Sequence, residues 1–212
     1  RILSEQSRIR SNDIRRGKVS EKEFEKFIET SKNIFELPLY IDETPAITIA
    51  AISNRSRRIK RLFGLELIVV DYIQLMRSGR KMEFNRVQEI SEITQGLKAL
   101  AKELDVPVLA LSQLSRQVEQ RDDKKPQLSD LRESGSIEQD ADVVMFVFRE
   151  AYYLENKEPT PGSIEHAEWR QKMDEISSFA DIMISKQRHG PTGNVQVEFE
   201  AMYTKFKNLE NK

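Results

Sequence analysis

Leu65-Glu66-Leu67-Ile68-Val69-Val70-Asp71 is a nearly continuous apolar run that ends in an acid. Unbroken rather than alternating hydrophobicity predicts burial on both faces, the pattern of a central strand in a parallel sheet. Upstream, Ile49, Ile52, Ile59 and Phe63 recur at helical spacing, and Gly64 is placed to end that helix. Downstream, a helix starts near Asn85, with Gln88 three residues on, and carries Val87, Ile90, Thr94, Leu97, Ala101 and Leu104 along one face. Val106 to Leu111 then reads as a second buried strand and Val143 to Phe148 as a third. Helix, buried strand, helix, buried strand in this order predicts an α/β fold with a parallel sheet and crossover helices.

The flanking regions are less regular. Helix-like sequence begins at once, with Ile2, Leu3 and Ile9 and no start signal before them, so the chain reads as a fragment that opens inside an element. Ser20 and Glu23 make a capping box, with Val19 and Phe24 at the positions of a hydrophobic staple. A helix from Glu21 follows, and Phe24, Phe27 and Ile28 are its expected buried stripe. Leu37 to Ile41 reads as a strand interrupted by Pro38, which favours an edge or an entry position. Residues 115 to 129 are too polar for a core and long enough to be functional or mobile. Residues 150 to 178, which hold Trp169, read as a surface insertion with one helix. Ile182 to Gln187 and Val195 to Phe199 flank the turn Gly190-Pro191-Thr192-Gly193-Asn194, a β-hairpin pattern.

Composition bounds the chemistry. A chain of 212 residues fits one domain. With 38% hydrophobic and 33% charged residues it is polar, yet apolar enough to fold. It has no cysteine, which excludes disulfides, thiolate nucleophiles and Cys-based zinc sites and agrees with a reducing compartment. Two histidines, His166 and His189, leave little metal chemistry. The apolar runs are too short to span a bilayer and no signal-peptide layout opens the chain, so the expected location is cytoplasmic, without membrane contact. At a net charge of −1, any grip on nucleic acid has to come from a local arrangement of cations.

Ligands of open α/β sheets gather at the carboxyl ends of the strands, and several polar residues fall there. Asp71 has the pattern of an acid that holds nucleotide-bound Mg²⁺, directly or through water; a strand terminus made soluble or capped by Asp reads the same. Gln113 ends Leu111-Ser112-Gln113. Its amide can meet a γ-phosphate or the attacking water, or can simply be a polar strand end. Lys186 and Arg188 are two apart, so their side chains leave one face of a strand at roughly 7 Å. Such a pair suits a phosphate of a neighbouring subunit or is a solvated pair of cations. The segment from Asp130 to Asp142 puts Arg132, Ser134 and Gly135, donors suited to a phosphate backbone, just before a strand. Arg55, Arg57, Arg58, Lys60 and Arg61 read as the wet face of their helix.

Four stretches together resemble the successive motifs of DnaB-type replicative helicases: Leu67 to Met76, Ala110 to Arg116, Asp130 to Asp142, and Lys186 to Pro191. The resemblance runs in order and in register across nearly the whole chain. It implies a RecA-like ATPase domain with a mostly parallel sheet, flanking helices and a C-terminal hairpin, working as a homohexameric ring that uses ATP and Mg²⁺ to move 5′ to 3′ along single-stranded DNA at the replication fork. Primase and a helicase loader are the implied partners. Asp71 becomes the Mg²⁺-holding acid and Gln113 the nucleotide sensor. Lys186 and Arg188 become the pair that reaches the adjacent subunit's ATP, and Arg132, Glu133, Ser134 and Gly135, with Arg116 nearby, the DNA-backbone contacts.

One departure stands out. A P-loop needs Gly-x-x-x-x-Gly-Lys-Ser/Thr, and no two of the eight glycines are five apart. In the family the P-loop, its strand, the catalytic glutamate and the N-terminal collar domain lie upstream of the segment matched here. The P-loop strand is expected beside Val106 to Leu111, so its loss would expose apolar faces and unpaired backbone. On this reading the chain alone neither binds ATP in cis nor unwinds DNA. The rivals are another RecA-like ring ATPase, such as a recombinase or signalling ATPase, and an inactive truncated helicase fragment that serves only as an interaction module.

Overall fold

The computed structural model describes residues 1–79, 85–131 and 135–209. In chain order these are the helices α1 (Ile2–Ser7), α2 (Ser11–Arg16), α3 (Glu21–Phe35) and α4 (Ile49–Phe63), the strand β1 (Ile68–Val70), α5 (Arg86–Leu104), β2 (Val108–Ala110), α6 (Gly135–Asp140), β3 (Val143–Phe148), α7 (Glu150–Glu155), α8 (Ile164–Ile176), β4 (Phe179–Gln187), β5 (Gly193–Glu200) and β6 (Lys205–Lys207). Short 3-10 turns cover Ile73–Leu75, Arg116–Gln120 and Leu128–Asp130. The chain divides into two compact units. One holds Glu43–Phe146 with Ile184–Gly193; the other holds Arg1–Asp42, Val147–Met183 and Asn194–Lys212.

The Glu43–Phe146 unit is built on α5. Asn85 caps its start by accepting the Val87 N–H at 3.2 Å, and Asp105 closes its end in the left-handed region, φ 47°, which Asp tolerates because its short side chain bonds locally. Ile90, Ile93, Leu97, Leu100 and Leu104 are buried against Ile68, Val70 and Val106, and each such side chain contributes about 2 kcal/mol by leaving water. At Gly96 an α4 side chain packs tightly on the helix, since a Cβ there would lie 2.6 Å from Ile49 Cγ1. Thr48 caps α4 through the Ala51 N–H at 3.3 Å, and Gly64 follows its last turn at φ 82°.

β1 and β2 pair in parallel, with Ile68 opposite Val108 and Val70 opposite Ala110. Both-face burial does not hold. Only one side of the pair packs on α5; Leu67, Val69, Leu109 and Leu111 are exposed, because the residues alternate across a strand and the helix covers one face. Val87, on the first turn of α5, is exposed as well. β3 has the expected residues and joins a four-stranded sheet ordered β3-β4-β5-β6, in which β5 and β6 are antiparallel. Among the described residues β1 and β2 thus make a separate two-stranded sheet.

In the other unit α3 starts as its capping box requires, with both reciprocal bonds between Ser20 and Glu23 present. Its expected stripe is not buried: Phe24 and Ile28 are exposed and Phe27 is half-buried. The helix that packs on it, α1, has six residues, about 9 Å of helix against the roughly 22 Å of α3. Leu37 to Ile41 forms no strand. The Leu39 N–H bonds back to the Leu37 carbonyl at 2.7 Å, a three-residue turn centred on Pro38, whose fixed φ suits it and which offers no ladder donor. Residues 150 to 178 hold two helices rather than one. α7 and α8 pack together, with Trp169 Nε1 donating to the Leu154 carbonyl at 2.8 Å. The hairpin strands are present, and around them Ala180, Ile182, Val197 and Phe199 form a small core with the Arg149 guanidinium 4.0 Å above the Phe199 ring.

Candidate functional site

With Val70 opposite Ala110, the chain leaves β1 and β2 at the same edge of the parallel pair, so Asp71 and the run from Leu111 to Gln113 emerge side by side. Two main-chain bonds hold this edge: Leu111 N–H donates to the Val70 carbonyl at 2.9 Å and Ile73 N–H to the Leu111 carbonyl at 3.0 Å. Asp71 is exposed directly after the last β1 residue. Among the described residues no three His, Asp or Glu side chains cluster for a metal. A lone carboxylate of this kind holds a hard cation only together with phosphate oxygens and waters, the ordinary way Mg²⁺ sits at nucleotide sites. An exposed carboxylate at this position fits nucleotide-bound Mg²⁺.

Gln113 is exposed at the neighbouring strand end. Its main-chain N–H donates to Gln74 Oε1 at 3.2 Å, and Gln74 Nε2 donates to Ser112 Oγ at 2.9 Å. Arg86 Nη2, donating to the Gln74 carbonyl at 2.6 Å, ties the same residue to the start of α5. Sequence reading passed over Gln74; its one signal was a polar residue inside the apolar run Ile73-Gln74-Leu75-Met76.

The two cations at the end of β4 are held differently. The half-buried Lys186 ammonium donates to the main-chain carbonyls of Glu138 and Gln139 in the last turn of α6, where unpaired carbonyls make the negative end of the helix. Arg188 points outward, its side chain 63% exposed, with Nη1 3.7 Å from Asp142 Oδ1. Its main-chain N–H donates to the Asp142 carbonyl at 2.8 Å. Asp142 also pairs with Lys98. The Lys98 bond holds the Asp142 carboxyl below the usual aspartate range, burial opposes this, and the Arg188 charge adds to the lowering.

Of the DNA-backbone candidates, Arg132, Glu133 and Ser134 lie outside the described residues. Gly135 is the first residue of α6, and Arg116 is exposed at the start of its 3-10 turn. The polar stretch from Arg116 to Leu131 is built rather than loose. Leu114 bridges Leu131, and the Ser115 N–H donates to the Asp130 carbonyl at 2.7 Å. Asp130 is buried and takes a forked pair from Arg121 at 3.1 and 2.8 Å, with the Gln127 N–H donating at 2.8 Å to one of the same oxygens. The arginine cluster on α4 behaves as a solvated face: Arg57 pairs with Glu103 through two bonds, at 2.6 and 2.8 Å, and Lys60 caps the Leu104 carbonyl.

Residues 1–208 match the model of the DnaB-like helicase C terminal domain. The chain is 53% identical over 212 residues to the replicative DNA helicase DnaB of Rickettsia typhi, and 44% identical over 212 residues to that of Geobacillus stearothermophilus. In both cases all of this chain is covered, but it spans only 42% and 43% of those relatives' length. A solved DnaB-like replicative helicase, described with its interactions with primase, superposes with TM-score 0.82 at 36% identity, over 99% of this chain and 46% of that one. A second solved structure, an ATPase domain, gives the same TM-score and identity over 99% of this chain and 69% of its own. No described helix is long and apolar enough to cross a membrane. The chain belongs to the family of DnaB-like helicase C-terminal domains.

Proposed function

We propose that this chain is the part of a replicative, ring-shaped hexameric helicase that completes an ATP site and grips single-stranded DNA while the ring moves 5′ to 3′. The observation that carries this reading is the shared edge of β1 and β2, where an exposed carboxylate, Asp71, and an exposed amide, Gln113, emerge from adjacent parallel strands. Asp71 holds nucleotide-bound Mg²⁺ and Gln113 meets the terminal phosphate or its water. When bound, ATP with Mg²⁺ supplies the phosphoryl transfer that drives movement. Arg188, the outward cation, reaches the nucleotide of a neighbouring subunit, with Lys186 beside it. Arg132, Glu133, Ser134, Gly135 and Arg116 contact the DNA backbone, whose phosphates carry no base code and so suit a motor indifferent to sequence. Primase and a loader are the partners, in the cytoplasm.

A P-loop is absent from the 212 residues, so turnover is tested in a graft. Residues 1–212 replace the matching segment of the Rickettsia typhi helicase, which supplies the remainder of that protein. The graft is expected to unwind a fork with a 5′ tail, and Asp71→Asn to abolish this. Residues 1–212 alone are expected to show no nucleotide turnover. A graft that hydrolyses ATP but cannot open the fork would end the helicase reading, and turnover that survives Asp71→Asn would end the role of Asp71.

A further inference from the structure

Asp142 stands just before β3, and three of its acceptor positions are engaged. The main-chain carbonyl takes the Arg188 N–H at 2.8 Å. One carboxylate oxygen, Oδ1, faces Arg188 Nη1 at 3.7 Å, and the other, Oδ2, is paired with Lys98. Lys98 comes from α5, the helix that carries the core of its unit. The carboxylate is therefore fixed from a rigid element on one side and presents its other oxygen to the guanidinium on the other. Lys186, two residues before Arg188, is clasped by the Glu138 and Gln139 carbonyls, so the end of β4 is held against α6 at the same place.

We propose that Asp142 is a positioning residue for Arg188: the line Lys98–Asp142–Arg188 keeps the guanidinium extended and outward, ready for a phosphate that another subunit presents. The inference rests on the trans role of Arg188 given above. An ion pair whose side chains are 63% and 55% exposed is weak, and a forked guanidinium–phosphate pair is stronger, so an arriving phosphate wins the guanidinium. What Asp142 supplies comes before that moment. It removes rotamers from a long side chain that would otherwise have to be ordered on binding. It also cancels the repulsion that would drive Arg188 away from Lys98.

The test uses the assembled graft and reads the affinity for ADP with aluminium fluoride, a mimic of the transferring phosphoryl group, alongside ATP affinity and turnover. Asp142→Asn is expected to weaken binding of the mimic about tenfold and to slow turnover about tenfold, with ATP affinity changed less than threefold. Asp142→Glu is expected to recover most of both. In an Arg188→Ala background, Asp142→Asn is expected to change binding of the mimic no further, because its effect passes through Arg188. A purely structural role would instead give the same loss with or without Arg188, and that result would overturn the proposal. Asp142→Ser, at this half-exposed position, is read in the same way if the Asn variant fails to assemble by native mass measurement. If Arg188→Ala itself leaves binding of the mimic and turnover unchanged, the trans role of Arg188 fails. If Arg188→Ala lowers both and Asp142→Asn lowers neither, the positioning role alone fails.

Discussion

Gln74 holds the main chain of Gln113: its Oε1 accepts the Gln113 N–H at 3.2 Å while its Nε2 donates to Ser112 Oγ at 2.9 Å. One side chain thus sets the exit path of the residue proposed to sense nucleotide. Each bond contributes about 1 kcal/mol, and tenfold in rate needs about 1.4 kcal/mol. Gln74→Ala in the graft is therefore expected to lower turnover about tenfold while ATP affinity stays within threefold. Gln74→Glu keeps an acceptor for the Gln113 N–H and should lose less. Steady-state turnover with a separate nucleotide-binding titration checks this, and an Ala variant as fast as the parent would detach Gln74 from the site.

Gly96 sits in mid-helix, where two effects oppose each other. Alanine raises helix propensity by about 1 kcal/mol, yet its Cβ would stand 2.6 Å from Ile49 Cγ1. Ile49 is β-branched and stiff at that atom, and overpacking of this kind costs about 1–3 kcal/mol. The clash wins. Gly96→Ala is expected to lower hydrogen-exchange protection of residues 86 to 104 about fivefold, the equivalent of about 1 kcal/mol. Unchanged or increased protection would mean that α4 moves aside freely.

What could be read in advance was what is local in sequence. Ser20 with Glu23, Gly64, and Asn85 mark helix ends through bonds that span a few residues, and those helices begin or end where the residues require. β3 was legible because six apolar residues in a row have few other fates. The run Leu67 to Val70 was read correctly as a strand and wrongly as covered on both sides, since hydrophobicity reports what a face prefers and not whether a layer lies on it. Leu37 to Ile41 failed for a local reason that composition hides, the turn about Pro38. β6 has three residues, too few for any period. At the site, Asp71, Gln113, Lys186 and Arg188 were named from strand ends and family resemblance. Gln74, Asp130 with Arg121, and Asp142 with Lys98 were not, because their roles depend on partners met only after folding; Lys98 and Asp142 are 44 positions apart.

Arg121 and Asp130 anchor the turn that precedes the DNA-backbone candidates Arg132 to Gly135. The Asp130 side chain is 5% exposed and that of Arg121 30%, so removing the arginine strands a buried carboxylate. Breaking a fully buried pair costs about 3–5 kcal/mol; with one partner partly in solvent, about 2 kcal/mol is expected for Arg121→Ala. Asp130→Asn keeps one accepting oxygen but sets an amide N–H against a facing donor, so the fork with Arg121 is lost there as well. Arg121→Ala is expected to quicken protease cleavage between residues 115 and 131 and to weaken binding of single-stranded DNA about tenfold, by releasing the flank of Arg116. Faster cleavage with unchanged DNA affinity would separate this turn from the DNA contact.

The Asp142 carboxyl is held below its ordinary value of 3.8, first by the Lys98 bond and further by the Arg188 charge, against the opposing effect of burial. A depressed folded value means that the charged form is favoured by folding, so the contribution of these pairs is complete above the ordinary value and disappears as pH falls through the folded one. Between pH 7 and pH 5 the Lys98–Asp142–Arg188 line is therefore expected to stay intact, and any loss of turnover in that window has to come from another group. Carboxyl ¹³C spectra of aspartate-labelled graft, with the Asp142 signal identified by its absence in Asp142→Asn, are expected to give a midpoint below 3.8 that rises in Lys98→Met. The lysine substitution should move it more than Arg188→Ala, because Lys98 makes the closer bond. A midpoint at or above 3.8 in the intact graft, or a larger response to Arg188→Ala, would reverse that order and leave the carboxylate without its anchor on α5.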